Sequence, residues 1–457
     1  MVGEAAFVRM FSIGLLLHEA VYYADWGRYY FSRSFAPAFG IQFGPIAKPI
    51  LHALYICNLL LLICKPYAFA PRCVLLFTLT LVVGSASLRL SNHLVLSWFL
   101  SALIVLRHGA ISYGVPILLS GTYLFSSFAK INRDYLSRQK SCGAHVLRLL
   151  LREWGIGDAV SSRLSVWIGI YGIIGVEAGL SIAVLLKPVP AWIVFVAIIM
   201  HLGFGFLCHV HFSAIMIGCL FYVTGRSSSI PLSWDVIAIL LLGGLAGLRF
   251  GNWRSYQFAR ICATSHTIFG IVAAYALIIT LTPSNAVATE QKMPFRVLVI
   301  TAVLVSIFFF NGLAPYLGYK TVFSFLMFSN LRPDCWVHLI ILRPLSPFKM
   351  DYVKVEATEN LPSIQRFEND PQLRRVLSHL LMAEHFLYSR EFLRECIRVL
   401  NKMGFSQVKL LCVDSTGNSF SLGRDLVNAP RVKSPWFSKP CWHPLMLPIN
   451  FSELVCE

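Results

Sequence analysis

Apolar runs long enough to cross a bilayer recur along the first three-quarters of the chain, and they leave few folds open. They fall near residues 7–23, 45–64, 71–90, 93–107, 112–130, 165–186, 191–224, 231–248, 264–282 and 296–313. A helix needs roughly 20 apolar residues to span the hydrocarbon of a bilayer. No water reaches the backbone there, so only helices or a closed barrel satisfy its N–H and C=O groups. These runs are too long and too uniformly apolar for barrel strands. The block 191–224 has room for one tilted helix or two short ones. The sequence therefore predicts an all-α polytopic membrane domain of about nine to eleven transmembrane helices, hence an integral, multi-pass protein whose first partner is membrane lipid.

The charge pattern agrees. Only 13% of the residues are charged, against about a quarter in soluble domains. Residues 1–344 hold 25 Lys and Arg against 10 Asp and Glu, whereas residues 345–457 hold 14 against 12. The cations of the first part sit in short loops between apolar runs, as topology signals do, and not on one soluble face, which argues against nucleic-acid binding. Loop 130–163 carries seven cations and three acids, and loop 249–260 carries Arg249, Arg254 and Arg260. Both read as cytoplasmic, and they share a side only if 191–224 makes two passes or a re-entrant hairpin. Within the first loop, "HVLRLLLREW" (145–154) sets basic residues beside a leucine face, the pattern of a helix lying in the interface. The run at 7–23 contains Arg9, His18 and Glu19 and is followed by no small-residue cleavage site, so it reads as a first membrane helix, not a signal peptide. The 12 cysteines form no CxxC pair and give no zinc or disulfide framework.

From about residue 345 the character changes. "MDYVKVEA" alternates like a strand, "EHFLYSREFLRECIRVLNKMG" resembles an amphipathic helix stopped by Gly404, and "QVKLLCVDSTGNSFSL" reads as two strands about a turn at Ser415–Asn418. A small soluble α+β domain is expected over 345–457, with an irregular Pro- and aromatic-rich tail, after a membrane domain over 1–344.

Ionisable groups within membrane spans are costly and point to function. Here they are Arg9, His18, Glu19, Arg89, His93, Glu177 and His201, with Lys130 at a span end and Asn92 beside His93. Lys130, in "YLFSSFAKINRDYL", reads in two ways. In a dry pocket a lysine loses its proton more readily and serves as a general base. At a span end it also serves as a snorkelling boundary marker. Arg89, Asn92 and His93 share one helical face, which suits either a polar substrate group or an inter-helix hydrogen-bond cluster. Glu177 must pair or stay protonated; it orients a substrate or the lysine, or it pairs with Arg9 or Arg89. His201 is a candidate substrate contact or a packing histidine. His209 and His211 point to different sides of a helix, so they make a poor metal pair, and no metal ligand is assigned. Walker, GxGxxG, HExxH and GxSxG motifs are missing, and no internal repeat supports a transporter.

Several segments together, namely "FVRMFSIGLLL", "SNHLVLSWFLSALI", "YLFSSFAKINRDYL", the Glu177 span, the "MHLGFGF…HF" block and "NGLAPYLGYKTVFSFLMFSNLR" (311–332), occur in the order seen in the HTTM family. The chain resembles that family over roughly residues 5–345. HTTM is the membrane domain shared with vitamin K-dependent γ-carboxylase. In the carboxylase the counterpart of "FAKINRDYL" has two adjacent lysines, the second being the base that deprotonates reduced vitamin K. Lys130 falls on that second position and Ala129 replaces the first. The resemblance implies a quinone-dependent oxygenase–carboxylase (a lyase) that uses reduced vitamin K or menaquinone on a glutamate of a peptide or protein substrate. Lys130 would be the base, with Asn92, His93, Glu177 and His201 near the substrate. The alternative it implies is a non-catalytic membrane factor in peptide maturation or export.

Overall fold

The computed structural model describes residues 2–26, 43–44, 46–85, 92–153, 155–186, 189–205, 210–224, 234–251, 263–281, 293–316, 338–341, 352–362, 387–389, 393–394, 397, 400–401, 404–414 and 418–423. These residues are mostly helical. The helices are α1 (Val2–Trp26), α2 (Ala47–Cys64), α3 (Phe69–Ser85), α4 (Asn92–Leu106), α5 (His108–Ala129), α6 (Arg133–Leu136), α7 (Cys142–Glu153), α8 (Asp158–Val166), a π-helical segment (Trp167–Gly172), α9 (Ile173–Ala183), α10 (Ala191–Phe204), α11 (Val210–Val223), α12 (Trp234–Gly251), α13 (Ala263–Leu281) and α14 (Phe295–Leu313). Three stretches are long and apolar enough to cross a membrane: α2, the continuous helix Asp158–Ala183, and α14. Shorter apolar helices include Phe69–Gly84, His93–Leu106, Ala191–Phe204, Phe212–Val223, Val236–Leu248 and His266–Ile278. The block 191–224 is two helices, α10 and α11, as the charge distribution of the flanking loops favours.

The helices pack as a bundle. α1 lies against α2 and α11, and α2, α3, α4 and α5 pack successively. α5 also contacts α9, α11 and α14, while α13 joins α10 and α11 to α12. Phe7, Phe11, Leu103, Ile198, Ile215 and Phe308 are among the buried residues at its centre. The outward faces are also apolar: Leu241, Leu242 and Leu245 on α12 are 61–64% exposed and Phe295 on α14 is 77% exposed. α12 and α13 meet backbone to backbone. A Cβ on Gly270 would collide with the Gly243 carbonyl, so glycine is what permits the contact.

One end of the bundle is tied by a buried ion pair. Arg72, at the start of α3, reaches Glu4 on α1 at 2.6 Å. Its guanidinium also donates to Pro66 O from Nε and Nη2 and to Ile104 O from Nη1. Arg72 is 1% exposed, so the fork satisfies a charge that water cannot reach. Its carbonyl partners are the turn after α2 and the last turn of α4, so Arg72 fixes the ends of four helices together. Neither residue stands out in the sequence, because the pairing joins helices that are far apart in the chain.

The C-terminal strands are β1 (Tyr352–Glu359), β2 (Leu387–Ser389), β3 (Lys409–Asp414) and β4 (Ser419–Leu422), antiparallel in the order β2-β1-β3-β4. A bulge between Val355 and Ala357 interrupts the β1–β3 register. Val353, Val355, Leu410 and Cys412 are buried on alternate positions, as a half-buried sheet requires. The β1 and β3–β4 expectations match this sheet. The expected helix beginning at Glu384 is corrected at its start: Leu387–Ser389 is a strand paired with Tyr352–Lys354. Three residues of alternation carry too little pattern to show beside the helical spacing that follows. Leu393, Ile397 and Leu400 are buried at helical spacing. That helix ends as expected at Gly404, whose φ is +92°, with Phe405 N–H on Leu400 O. The Pro-rich tail lies outside the described residues.

Breaking a buried pair by removing one partner destabilises by about 3–5 kcal/mol. Arg72→Met should therefore lower unfolding stability in lipid by that order, measured by thermal denaturation, and adding Glu4→Gln should recover part of the loss. Equal stability of the single and double variants would mean that the pair is uncoupled.

Candidate functional site

The site is built where α5 ends. Ser120, Tyr123, Ser126 and Lys130 recur at three- and four-residue spacing, which puts them on one face of that helix. The face meets α9. Ser120 Oγ donates to Ser181 O at 2.5 Å, and Ser126 Oγ donates to Glu177 Oε1 at 3.0 Å. Lys130 Nζ lies 2.8 Å from Glu177 Oε2, 3.0 Å from Oε1 and 2.6 Å from Ser126 Oγ. It also donates to Ser126 O at 3.2 Å. Lys130 is 1% exposed and Glu177 5%. The lysine is thus inside the bundle, and the snorkelling alternative is set aside. The partner of Glu177 is Lys130; Arg9 instead donates from Nε to Ile63 O at 3.0 Å. The expected pairing with Arg9 is corrected, and the Arg89 alternative lies outside the described residues. Pairing across helices depends on which faces meet, and spacing along one chain does not give that.

Two local features aim these side chains. The first is the π-helical segment Trp167–Gly172, which precedes α9. A π turn carries one extra residue, so everything after it is rotated by about 100° relative to a continuous α-helix. That rotation brings Glu177 onto the α5 side. Tyr135 Oη donates to Gly169 O within this segment at 2.9 Å. A Cβ on Gly143 would collide with the Gly169 carbonyl and with Tyr135 Oη, so α7 approaches here only because residue 143 is glycine. The second feature is the turn after α5. Asn132 caps α6, its side chain accepting from Tyr135 N at 2.8 Å and donating to Ala129 O at 2.8 Å. The Tyr135 ring then stands 5.8 Å from Lys130 Nζ and presents an aromatic face to the amine. Ala129 is fully buried, and its carbonyl is occupied by Asn132.

The other candidates form a second buried group. Tyr123 is seven residues before Lys130 on the same face, about 10 Å along the helix. Its hydroxyl hydrogen-bonds His201 Nε2 at 2.8 Å. His201 and His93 both flank the Phe212 ring, at centroid distances of 5.9 and 6.4 Å. His93 Nε2 meets His18 Nε2 head on, so one imidazole donates and the other accepts. His93 and His201 therefore share an aromatic neighbour with each other, not with Lys130. Asn92 opens α4, but its side chain, like those of His209 and His211, lies outside the described residues. Sequence reasoning passed over Ser126, Tyr123, Tyr135 and His338. The first two carried a signal, since they precede Lys130 by four and seven residues.

Among the described residues no three His, Cys, Asp or Glu side chains converge on a metal position. The chemistry the arrangement offers is proton transfer: an amine and a carboxylate in direct contact, excluded from water, beside a hydroxyl and an aromatic face. No family model, curated protein or solved structure matches the chain in comparison with known proteins.

If Lys130 and Glu177 neutralise each other, Lys130→Met and Glu177→Leu should each destabilise by about 3–5 kcal/mol, and the double variant by clearly less than their sum. A double-mutant cycle on unfolding in lipid measures this. Additive losses would show that the two groups do not act as a pair.

Proposed function

We propose that the chain is a multi-pass membrane enzyme of the HTTM, vitamin K-dependent γ-carboxylase-like kind, with Lys130 as its base. The observation that carries this reading is a buried lysine bonded to a buried carboxylate, on the segment that resembles the carboxylase's base-bearing helix. The apolar outward faces of α2, α12 and α14 support placement across a bilayer. A base must shed its proton to act, and a low-dielectric site favours the neutral amine and acid over the ion pair far more than water does. Glu177, 2.8 Å away, is placed to take and return that proton. Ser126 holds the amine toward it, and the Tyr135 ring closes the other side.

The cofactor this reading assigns, by the resemblance, is a reduced quinone such as vitamin K or menaquinone, whose hydroxyl the dry amine of Lys130 would meet. Bound there, a reduced quinone would supply the oxygen-dependent proton abstraction that precedes carboxylation of a glutamate. Glu177 would keep the proton shed by the lysine, Lys130 would accept the hydroxyl proton at its freed Nζ, and the packing of α5 against α9 would exclude water. His93 and His201 would serve the substrate from the Phe212 side of the bundle.

The second reading is the non-catalytic maturation or export factor. One observation favours it: the ammonium is fully satisfied by Ser126 and Glu177, as in a purely structural pair.

Product analysis separates the two. Purified protein in nanodiscs receives reduced vitamin K or reduced menaquinone, oxygen, labelled bicarbonate and a glutamate-containing peptide. The expected outcome is quinone epoxide and fixed label from the native chain and a loss of at least about 100-fold with Lys130→Ala, the scale of a general base. No turnover and no quinone binding by the native protein would overturn the enzyme reading.

A further inference from the structure

Residues 338–341 lie against the end of α5, and the contact is more elaborate than packing needs. His338 pairs with Asn132 in an isolated antiparallel bridge, and Leu339 N–H donates to Ile131 O at 3.0 Å. The His338 ring completes the attachment. Its Nδ1 faces the backbone N–H groups of Ile340 and Ile341, at 3.2 and 3.0 Å. Both can only donate, so Nδ1 carries a lone pair and the ring proton sits on Nε2. Nε2 therefore donates to Phe128 O at 3.0 Å. The ring is packed between Phe128 and Tyr316, with centroids 4.8 and 5.6 Å away.

This contact adds to the bonds that close the end of α5 and supplies a donor for the carbonyl of Ile131, just past it. Ser126 O takes Lys130 Nζ, Ser127 O takes Lys130 N, and Ala129 O takes Asn132 Nδ2. Phe128 O takes Ile131 N at 3.1 Å and His338 Nε2 on its second lone pair, and Ile131 O takes Leu339. Lys130 is thus flanked on both sides by carbonyls that the 338–341 segment holds.

We propose that His338 is a positioning residue for Lys130: its neutral imidazole straps residues 338–341 onto the α5 terminus and so fixes the backbone from which the amine projects. The proposal rests on Lys130 being the reacting group. A proton added at Nδ1 would confront two N–H donors and break both bonds, so the strap opens in acid. Burial lowers the readiness of His338 to take that proton, and the Phe128 carbonyl partly offsets it. The folded-state value is below the ordinary one, so the stability is present at neutral pH and lost as pH falls through and below the usual histidine range. Among the described residues, the titratable groups on the elements around the ring are Tyr316, Lys130 (its Nζ turned to Glu177), and Arg133 and Asp134 after Asn132.

The test uses the full chain in nanodiscs and needs no turnover, so a silent carboxylation assay leaves it intact. Amide hydrogen exchange over 338–341 is compared at pH 7.5 and 5.0, corrected for intrinsic rates, in the native protein, His338→Phe and His338→Gln. Lys130 acylation by a water-soluble acetylating ester at pH 8 is followed by mass spectrometry, with Lys140, 59% exposed, as internal control. Protection should fall about tenfold in the native chain at the lower pH and in His338→Phe at both, the scale of a lost backbone hydrogen bond. Lys130 acylation should rise in His338→Phe with Lys140 unchanged, and His338→Gln, which keeps a donor for Phe128 O, should lie between. Protection in the native chain that does not change with pH would overturn the strap, whether or not the variants fold. An opened strap with Lys130 still unlabelled would overturn the positioning role.

Discussion

The pairing of Lys130 with Glu177 is the interaction around which the central helices are arranged. Neither charge has water within reach, so each is tolerable only in the other's presence. That requirement fixes the rotation of α9 against α5. It also explains the π-helical segment, whose extra residue turns Glu177 to the right side, and the glycine pair that lets α7 press against that segment. Ser126, Asn132 and Tyr135 then have defined tasks: one orients the amine, one turns the chain, and one covers the amine with a ring. The same rule, that a buried charge needs a geometrically complete partner set, ties Arg72 to Glu4 at one end of the bundle.

Buried polar groups in this protein are not scattered. One set lies where α5 ends and a second surrounds Phe212, with Tyr123 on the shared face of α5 between them. The first set offers a proton donor and acceptor in contact. The second offers imidazoles in hydrogen bonds with a phenol and with each other, which suits rigid packing of α1, α4, α10 and α11 as well as it suits a ligand. The difference matters for the chemistry proposed. The lysine end has the water-excluded acid–base pair, while the histidine group enters only through the helix they share.

Much of the architecture was legible in the sequence because apolar periodicity is a local property. The helical runs, the Gly404 stop and the β3–β4 hairpin all follow from patterns a few residues wide, and the division of 191–224 follows from the basic loops on either side of it. The three-residue strand β2 did not, because its alternation is shorter than the helical pattern beside it and only pairing with β1 defines it. Lys130 and Glu177 were each recognisable as costly inside a membrane-like run, but their mutual contact was not, since it spans two helices and hinges on a π turn that has no residue signature. His338 left no trace at all: a single histidine beyond the last apolar run gains meaning only when its ring is seen between Phe128 and Tyr316.

What the sequence determined by itself is the material: long apolar helices, a cationic and acid-poor first part, a small sheet-forming end, and a few ionisable groups in places where solvation is poor. Those are properties of spacing and composition, and they hold whatever the helices do next. What only the tertiary structure decided is which of those groups meet. Pair identity depends on helix rotation, close approach through glycine and the closing of helix ends by distant segments. A carboxylate inside a helical run can reach any of several cations until packing selects one.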